Sequence, residues 1–135
     1  MATLKLEIVT PEAKIYSEDV DMVTLPGVEG EMGVYPMHIA LMTQVKAGEL
    51  IARKSGQDHF LAIGEGFVEI TGDRVAVMTD MAVKADDIDE AKAEEARKKA
   101  EARLSEKLSD EETASVTAAL AHSLAQLHVK RRTHR

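Results

Sequence analysis

The chain has no cysteine and no tryptophan, and only two tyrosines and two phenylalanines. Without thiols, disulfides, thiolate metal sites and thiol nucleophiles are excluded together. That absence suits a cytoplasmic protein. Aromatics make up 3% of residues and hydrophobic residues 44%, so a core has to be built from Val, Ile, Leu, Met and Ala. Long apolar runs are missing as well. The longest uncharged stretch, Thr113 to Val129, contains Thr113, Ser115, Thr117, His122, Ser123, Gln126 and His128. It falls short of the ~20 apolar residues a membrane span needs, so no direct membrane insertion is expected. Met1-Ala2-Thr3-Leu4-Lys5 carries no signal-peptide run. Positive charge is scarce, 17 Lys and Arg against 24 Asp and Glu. A net charge of −7 argues against binding nucleic acid or an anionic bilayer.

What is present divides the chain near residue 85. Residues 1–85 hold 13 acidic and 7 basic side chains, and residues 86–135 hold 11 and 10. All eight glycines lie at or before Gly72. With 135 residues the chain can form one compact domain, or one domain with a small appendage.

The first part reads as strands. Leu4, Leu6 and Ile8 alternate with Lys5 and Glu7, the period of a half-buried strand. Asp19 to Leu25 alternates likewise, with Val20, Met22 and Thr24 on one side. Gly72-Asp73 is expected to be a tight primed turn between two alternating runs, and Lys54-Ser55-Gly56-Gln57 a weaker one. Gly27 to Gly33 reads as a loop whose glutamates face water or a basic partner. Its glycines superficially resemble a phosphate cradle, but Glu29 and Glu31 would repel an anion. Short strands between turns predict an antiparallel sandwich or barrel.

The last 50 residues read as an antiparallel two-helix hairpin. Asp87 with Glu90, and Ser109 with Glu112, have the form of capping boxes. Ala93, Ala96, Ala100, Leu104 and Leu108 recur along one face of the first helix, opposite Glu–Lys pairs such as Glu94–Lys98 and Glu95–Lys99. On the second, Thr117, Leu120, Leu124 and Leu127 form a stripe flanked by alanines that allow close approach. The uncharged stretch 113–129 leaves two readings open. Either small polar residues such as Ser115, His122 and Gln126 face water, or a partner protein covers the helix on more than one side.

Catalytic chemistry finds little support. The histidines, His38, His59, His122, His128 and His134, include no i,i+4 metal pair. There is no nucleophile elbow and no Walker phosphate loop. No catalytic residue and no metal are expected.

Gly30-Glu31-Met32-Gly33-Val34-Tyr35-Pro36-Met37-His38, followed by Leu41 to Thr43, is similar to a segment of the epsilon subunits of bacterial F-type ATP synthases. Leu6 to Glu12, Gly64 to Ile70, Val75 to Asp80 and Asp87 to Ala91 also fit, in the same order along nearly the whole chain. The resemblance implies a β-sandwich of about ten strands over 1–85 and a helical hairpin over 86–135. It implies a non-catalytic rotor subunit of the central stalk, peripheral on the cytoplasmic face of the inner membrane, coupling proton transport to ATP synthesis. Its implied partners are the gamma subunit and the polar loops of the rotor ring. Glu29, Glu31 and His38 match positions that face them, with Thr10 and Met42 beside these.

In many members of this family the hairpin can extend into the alpha/beta head and block hydrolysis. The basic residues available for that contact are Arg97, Lys98, Lys99, Arg103 and Lys107, then Lys130, Arg131 and Arg132. Some members also bind ATP through [IL]-D-x-x-R-A. Ile88-Asp89-Glu90-Ala91-Lys92-Ala93 departs from it at Lys92. The next basic position is Lys99, and supporting arginine positions fall on His122 and Gln126. Lysine lacks the planar fork that grips phosphate oxygens in pairs, so ATP is expected to bind weakly or not detectably, and no cofactor is expected. The alternative is a free-standing binding domain or enzyme that borrows the sandwich, since fold alone does not fix function.

Overall fold

The computed structural model describes residues 2–133. Ten strands come first: β1 (Leu4–Val9), β2 (Lys14–Val20), β3 (Met22–Gly27), β4 (Gly30–Val34), β5 (His38–Val45), β6 (Gly48–Lys54), β7 (Gln57–Ile63), β8 (Gly66–Gly72), β9 (Arg74–Thr79) and β10 (Ala82–Lys84). A 3₁₀ turn, Ala85–Asp87, leads into α1 (Glu90–Leu104) and α2 (Asp110–Thr133).

The strands run in the order β10-β7-β6-β3-β5-β8-β9-β1-β2, with β4 attached to β3. β3 and β5 share a single paired position, Gly27 opposite Val45. Around that narrow joint the sheet closes into a sandwich, and residues of both halves meet in one core. Leu4, Leu6, Ile8, Val20, Val23, Leu25, Val34, Leu50, Ile63, Val68, Ile70, Val75 and Val77 are all fully buried there. β1 pairs antiparallel with β2 but parallel with β9.

Three local expectations change. A corner at Asp21 separates β2 from β3, held by Asp21 N–H donating to Arg53 O (2.7 Å) and Ser55 N–H donating to the Asp21 carboxylate (3.0 Å). The corner flips the alternation, so Val20 is buried but Val23 and Leu25, not Met22 and Thr24, point inward after it. Gly27 to Gly33 is not a loop but a β-hairpin, with Val28-Glu29 as its turn and Gly27 opposite Gly30. Of the two hairpin turns, Ser55-Gly56 is the one with both central residues at positive φ (53° and 79°), as a type I′ turn requires. At Gly72-Asp73 only Gly72 has a positive φ (54°).

The hairpin is antiparallel. Arg103 Nη2 lies 3.3 Å from Glu112 at the loop, and Arg131 Nε lies 3.1 Å from Glu90 at the far end. α1 is capped by Asp89, whose carboxylate accepts the Lys92 N–H at 3.1 Å, and not by Asp87. Asp87 falls within the 3₁₀ turn, and Ile88 is drawn into the core, which delays the helix start. Ser109 and Glu112 form the expected reciprocal box, at 3.1 and 3.3 Å. On α1, Ala93 and Ala100 are buried while Ala96 is exposed. Glu94 pairs with Arg97 and Arg131, in place of the Glu94–Lys98 pair read from spacing.

α2 packs on two neighbours at once. Val116, Ser123 and Leu127 are buried at the helical spacing that ends on Arg131, which binds α1. Ala125 and Val129 are buried against Ala62, Ala85 and Ile88 of the sandwich and its junction, beside Phe60, Met81 and Val83. The uncharged stretch is therefore covered on two sides by α1 and by the sandwich of the same chain, while Ser115, Thr117, Ala119 and His128 face water. Leu124, placed on the apolar stripe by spacing, is exposed.

Candidate functional site

The residues singled out for rotor contact fall at two ends of β5. At one end, the Val28-Glu29 turn is tied to the C-terminal half of β5, with Val28 N–H donating to Gln44 O (3.4 Å) and Lys46 N–H to Pro26 O (2.9 Å). Glu29 and Glu31 are exposed there. Val28 and Met42 line a shallow hollow with Phe67 on the outer face. Thr10 belongs to this end but is buried. Its hydroxyl closes the β1–β2 turn, lying 3.3 Å from Ala13 O and accepting the Ala13 N–H at 3.4 Å. A residue so engaged shapes the rim without offering a side chain to a partner.

His38 lies at the other end, opposite Gly72 in β8, whereas Val45 is opposite Gly66. At about 3.3 Å per residue, roughly 20 Å of strand separates it from Val45. His38 follows Tyr35-Pro36-Met37, where Met37 adopts a φ of 67°, a left-handed conformation costing about 1 kcal/mol in a residue with a Cβ. That bend leaves Met37 82% and Ile39 84% exposed, with Tyr35 also exposed. Backbone strain that presents apolar side chains to solvent makes this segment a candidate contact surface.

Spacing alone had not pointed to these apolar tips, nor to the row across the outer face. Phe67 is opposite Met78, and Met78 opposite Val9, all exposed. A signal existed in Val75-Ala76-Val77-Met78 and Phe67-Val68, where apolar residues occupy both parities of a strand instead of one.

The degenerate nucleotide motif is structurally occupied. Ile88 and Ala93 are buried, Asp89 caps α1, and Lys92 and Lys99 are exposed. His122 Nε2 lies 3.1 Å from Asp80 Oδ1, and Gln126 Nε2 lies 3.9 Å from Met81 Sδ. Both side chains are thus turned onto the sandwich. Among the described residues no three His, Asp or Glu side chains are grouped to hold a metal ion.

Of the basic residues considered for inhibition, most are engaged within the chain. Arg97 pairs with Glu94 and with Glu101 (2.7 Å), holding the Glu94 carboxyl below the usual carboxylate range. Arg103 binds Glu112, Lys130 donates to Ala85 O (3.2 Å), and Arg131 binds Glu90 and Glu94. Arg132 reaches Glu49 at 2.8 Å. Lys98, Lys99 and Lys107 are exposed.

The fold and its surfaces define a class first: a sandwich with a docked helical hairpin and with exposed acidic and apolar rims. Two adjoining family descriptions match. "ATP synthase, Delta/Epsilon chain, beta-sandwich domain" covers residues 3–85, and "ATP synthase, Delta/Epsilon chain, long alpha-helix domain" covers residues 86–131. The ATP synthase epsilon chain of Dehalococcoides mccartyi (strain BAV1) is 45% identical over 137 residues, covering 99% of this chain and 98% of that one. That of Laribacter hongkongensis is 41% identical over 140 residues, covering 99% and 100%. A chain in a cryo-EM structure of the Euglena gracilis mitochondrial ATP synthase, with F1 and c-ring, superposes with a TM-score of 0.77. It is 26% identical, with 95% of this chain and 81% of that one covered. The chain belongs to the ATP synthase delta/epsilon family, as an epsilon chain. It is a central-stalk subunit of a membrane-associated complex and not a catalyst alone. Among the described residues no helix is long and apolar enough to cross a membrane.

Proposed function

We propose that the sandwich docks at the foot of the central stalk, against the gamma subunit and the polar loops of the rotor ring. Turning with them, it couples proton flow to ATP synthesis on the cytoplasmic face of the bacterial inner membrane. The observation that carries this reading is the pair of presented rims. One end offers the acidic turn with Glu29 and Glu31, the other the strained, exposed Tyr35–Ile39 segment with His38. Acidic side chains fix register against basic loops, while the apolar tips and the Phe67–Met78–Val9 row supply area to bury.

Glu31→Lys tests it. In inverted membranes carrying the assembled enzyme, ATP-driven proton pumping should fall while ATP hydrolysis continues. The isolated sandwich should keep its melting behaviour to within ~0.5 kcal/mol, as surface changes do. Normal pumping would remove the ring-contact assignment.

The hairpin adds a second element to the reading. In the compact form most of its arginines are held by the chain's own carboxylates, so this subunit rests mainly compact and inhibits hydrolysis only modestly. ATP at the altered motif is weak at most, since Lys92 stands where a forked guanidinium is expected.

A further inference from the structure

The last turn of α2 carries three consecutive basic residues, and each engages a different element. Lys130 Nζ donates to the Ala85 carbonyl at 3.2 Å, in the 3₁₀ turn. Arg131 donates to Glu90 and Glu94 of α1, at 3.1 and 2.9 Å. Arg132 Nη1 donates to Glu49 Oε1 in β6 at 2.8 Å, with its guanidinium 5.4 Å from the Phe60 ring centroid.

The Glu49 contact differs from the others in its surroundings. The Glu49 side chain is only 10% exposed, and its Oε2 is buried with no hydrogen-bond partner. The charged and titratable groups facing it are Arg132 and His128 from α2 and Glu31 from β4. Arg131 and Lys130 are committed elsewhere in the same turn. The carboxylate is buried where α2 covers β6, and Arg132 is the cation that reaches it. A carboxylate taken out of water without a partner costs several kcal/mol in general, so the position of Arg132 constrains where the helix can sit.

We propose that Glu49 and Arg132 form a register pin that holds the hairpin on the sandwich in one seating. His122, Ala125, Val129 and Arg132 follow one another at spacings of three and four along the sandwich-facing side of α2. A slip of one turn would keep small apolar residues against Ala62 and Val83, because the helix is rich in alanine. It would take Arg132 off Glu49 and leave the anion buried alone. The hairpin therefore either seats in this register or leaves the sandwich, in which case water reaches Glu49. Buried ion pairs are best attested in this role, setting register at little net gain in stability.

The chain has no cysteine, so paired spin labels can be placed cleanly on exposed sites. Ser115→Cys on α2 and Lys46→Cys on the sandwich would report the seating by dipolar distances in the full-length subunit. The wild-type background should give one dominant distance. Arg132→Gln should raise the displaced population at least threefold, because it strands the Glu49 carboxylate. Glu49→Gln, alone or with Arg132→Gln, should stay docked but spread over more than one distance, because no stranded carboxylate then penalises a slip. Arg74→Gln, which breaks the pair with Glu7 on β1, should change nothing. The pin is overturned if Arg132→Gln leaves the distances unaltered, if the double variant is displaced as far as Arg132→Gln, if Glu49→Gln keeps the single wild-type distance, or if Arg74→Gln displaces α2 as far. Where Arg132→Gln costs the fold altogether, the double variant still decides, since only a loss acting through Glu49 is reversed by neutralising it.

Discussion

His122 Nε2 lies 3.1 Å from Asp80 Oδ1, and the contact exists because residue 64 has no side chain. A Cβ on Gly64 would stand 2.0 Å from that carboxylate oxygen and 2.8 Å from the imidazole nitrogen. The pair joins α2 to the β9–β10 connection, at the end of the stripe opposite Arg132.

Two glycine substitutions should therefore separate hairpin docking from sandwich stability. At Gly64 the obstructing atoms are the mobile end of Asp80 and His122, so Ala displaces the contact and leaves the backbone in place. The expected loss is that of one half-exposed pair, ~0.2–1 kcal/mol, read as weaker protection of α2 amides with the strand amides unchanged. At Gly66 a Cβ would stand 1.9 Å from the Met78 carbonyl oxygen, which is backbone of the paired strand. Gly66→Ala should lower sandwich stability by about 1–3 kcal/mol or more. Equal effects of the two changes on the strands would contradict this division.

Binding of ATP to the isolated subunit should be weak or undetectable by calorimetry. Asp89 is already the cap of α1, and His122 and Gln126 are turned to Asp80 and Met81. Restoring arginines with Lys92→Arg, His122→Arg and Gln126→Arg should strengthen binding by tenfold or more, or about 1.4 kcal/mol. Micromolar affinity in the unaltered chain, abolished by Asp89→Ala, would refute it.

Truncation after Ala85 should change ATP hydrolysis by the assembled enzyme less than about threefold, roughly 0.7 kcal/mol. The interface between hairpin and sandwich buries few large apolar side chains, chiefly Ile88 and Val129, at about 1.5–3 kcal/mol each. That is enough to favour the compact form and small enough to be overcome. What tips the balance is that Arg103 and the 130–132 turn already have carboxylate or carbonyl partners on other elements. Extension would have to exchange these contacts for others. A tenfold activation on truncation would show that the extended form dominates instead.

Local alternation and caps were legible where one element decides its own fate. Leu4, Leu6 and Ile8 are buried as their period predicts, and Ser109–Glu112 is the box that its spacing predicts. Misreadings arose where tertiary contacts decide. The corner at Asp21 depends on the β6–β7 turn, 34 residues away, and shifts the parity of the strand that follows it. Ile88 is pulled inward by Ala62 and Val129, which moves the start of α1 from Asp87 to Asp89. The absence of charge on α2 accompanies a helix packed on two sides, against α1 and the sandwich, with small polar residues such as Ser115 and Thr117 on its open side. No periodicity could say that the cover is the chain's own sandwich, since the pairs that fix it, Asp80–His122 and Glu49–Arg132, are 42 and 83 residues apart. Of the proposed contact rims, Glu29 and Glu31 were legible in the sequence, but the exposed Met37 and Ile39 depend on a backbone bend that sequence does not announce.

The pH dependence of hairpin docking should carry a component of unusual sign, and Glu49 is its source. Carboxylates with hydrogen-bonded cationic partners, such as Glu94 beside Arg97, are held below their ordinary range. Their contribution is present above the unfolded value and fades as pH falls through the folded one. Glu49 is shifted the other way, because burial outweighs the favourable charges of Arg132 and His128 and the Glu31 charge adds to it. A group whose value is raised on docking binds its proton more tightly in the docked form. Its stabilising contribution is complete below the ordinary glutamate range and is lost as pH rises through the raised value. Glu49→Gln removes that component and leaves the others in place. Docking in the Glu49→Gln variant, measured by the melting of α2, should therefore gain on wild type as pH rises from about 4 to about 7. A constant difference across that range would mean that Glu49 does not change its proton affinity on docking. A difference that shrinks with rising pH would mean that Arg132 outweighs burial and that the carboxylate behaves like its exposed neighbours.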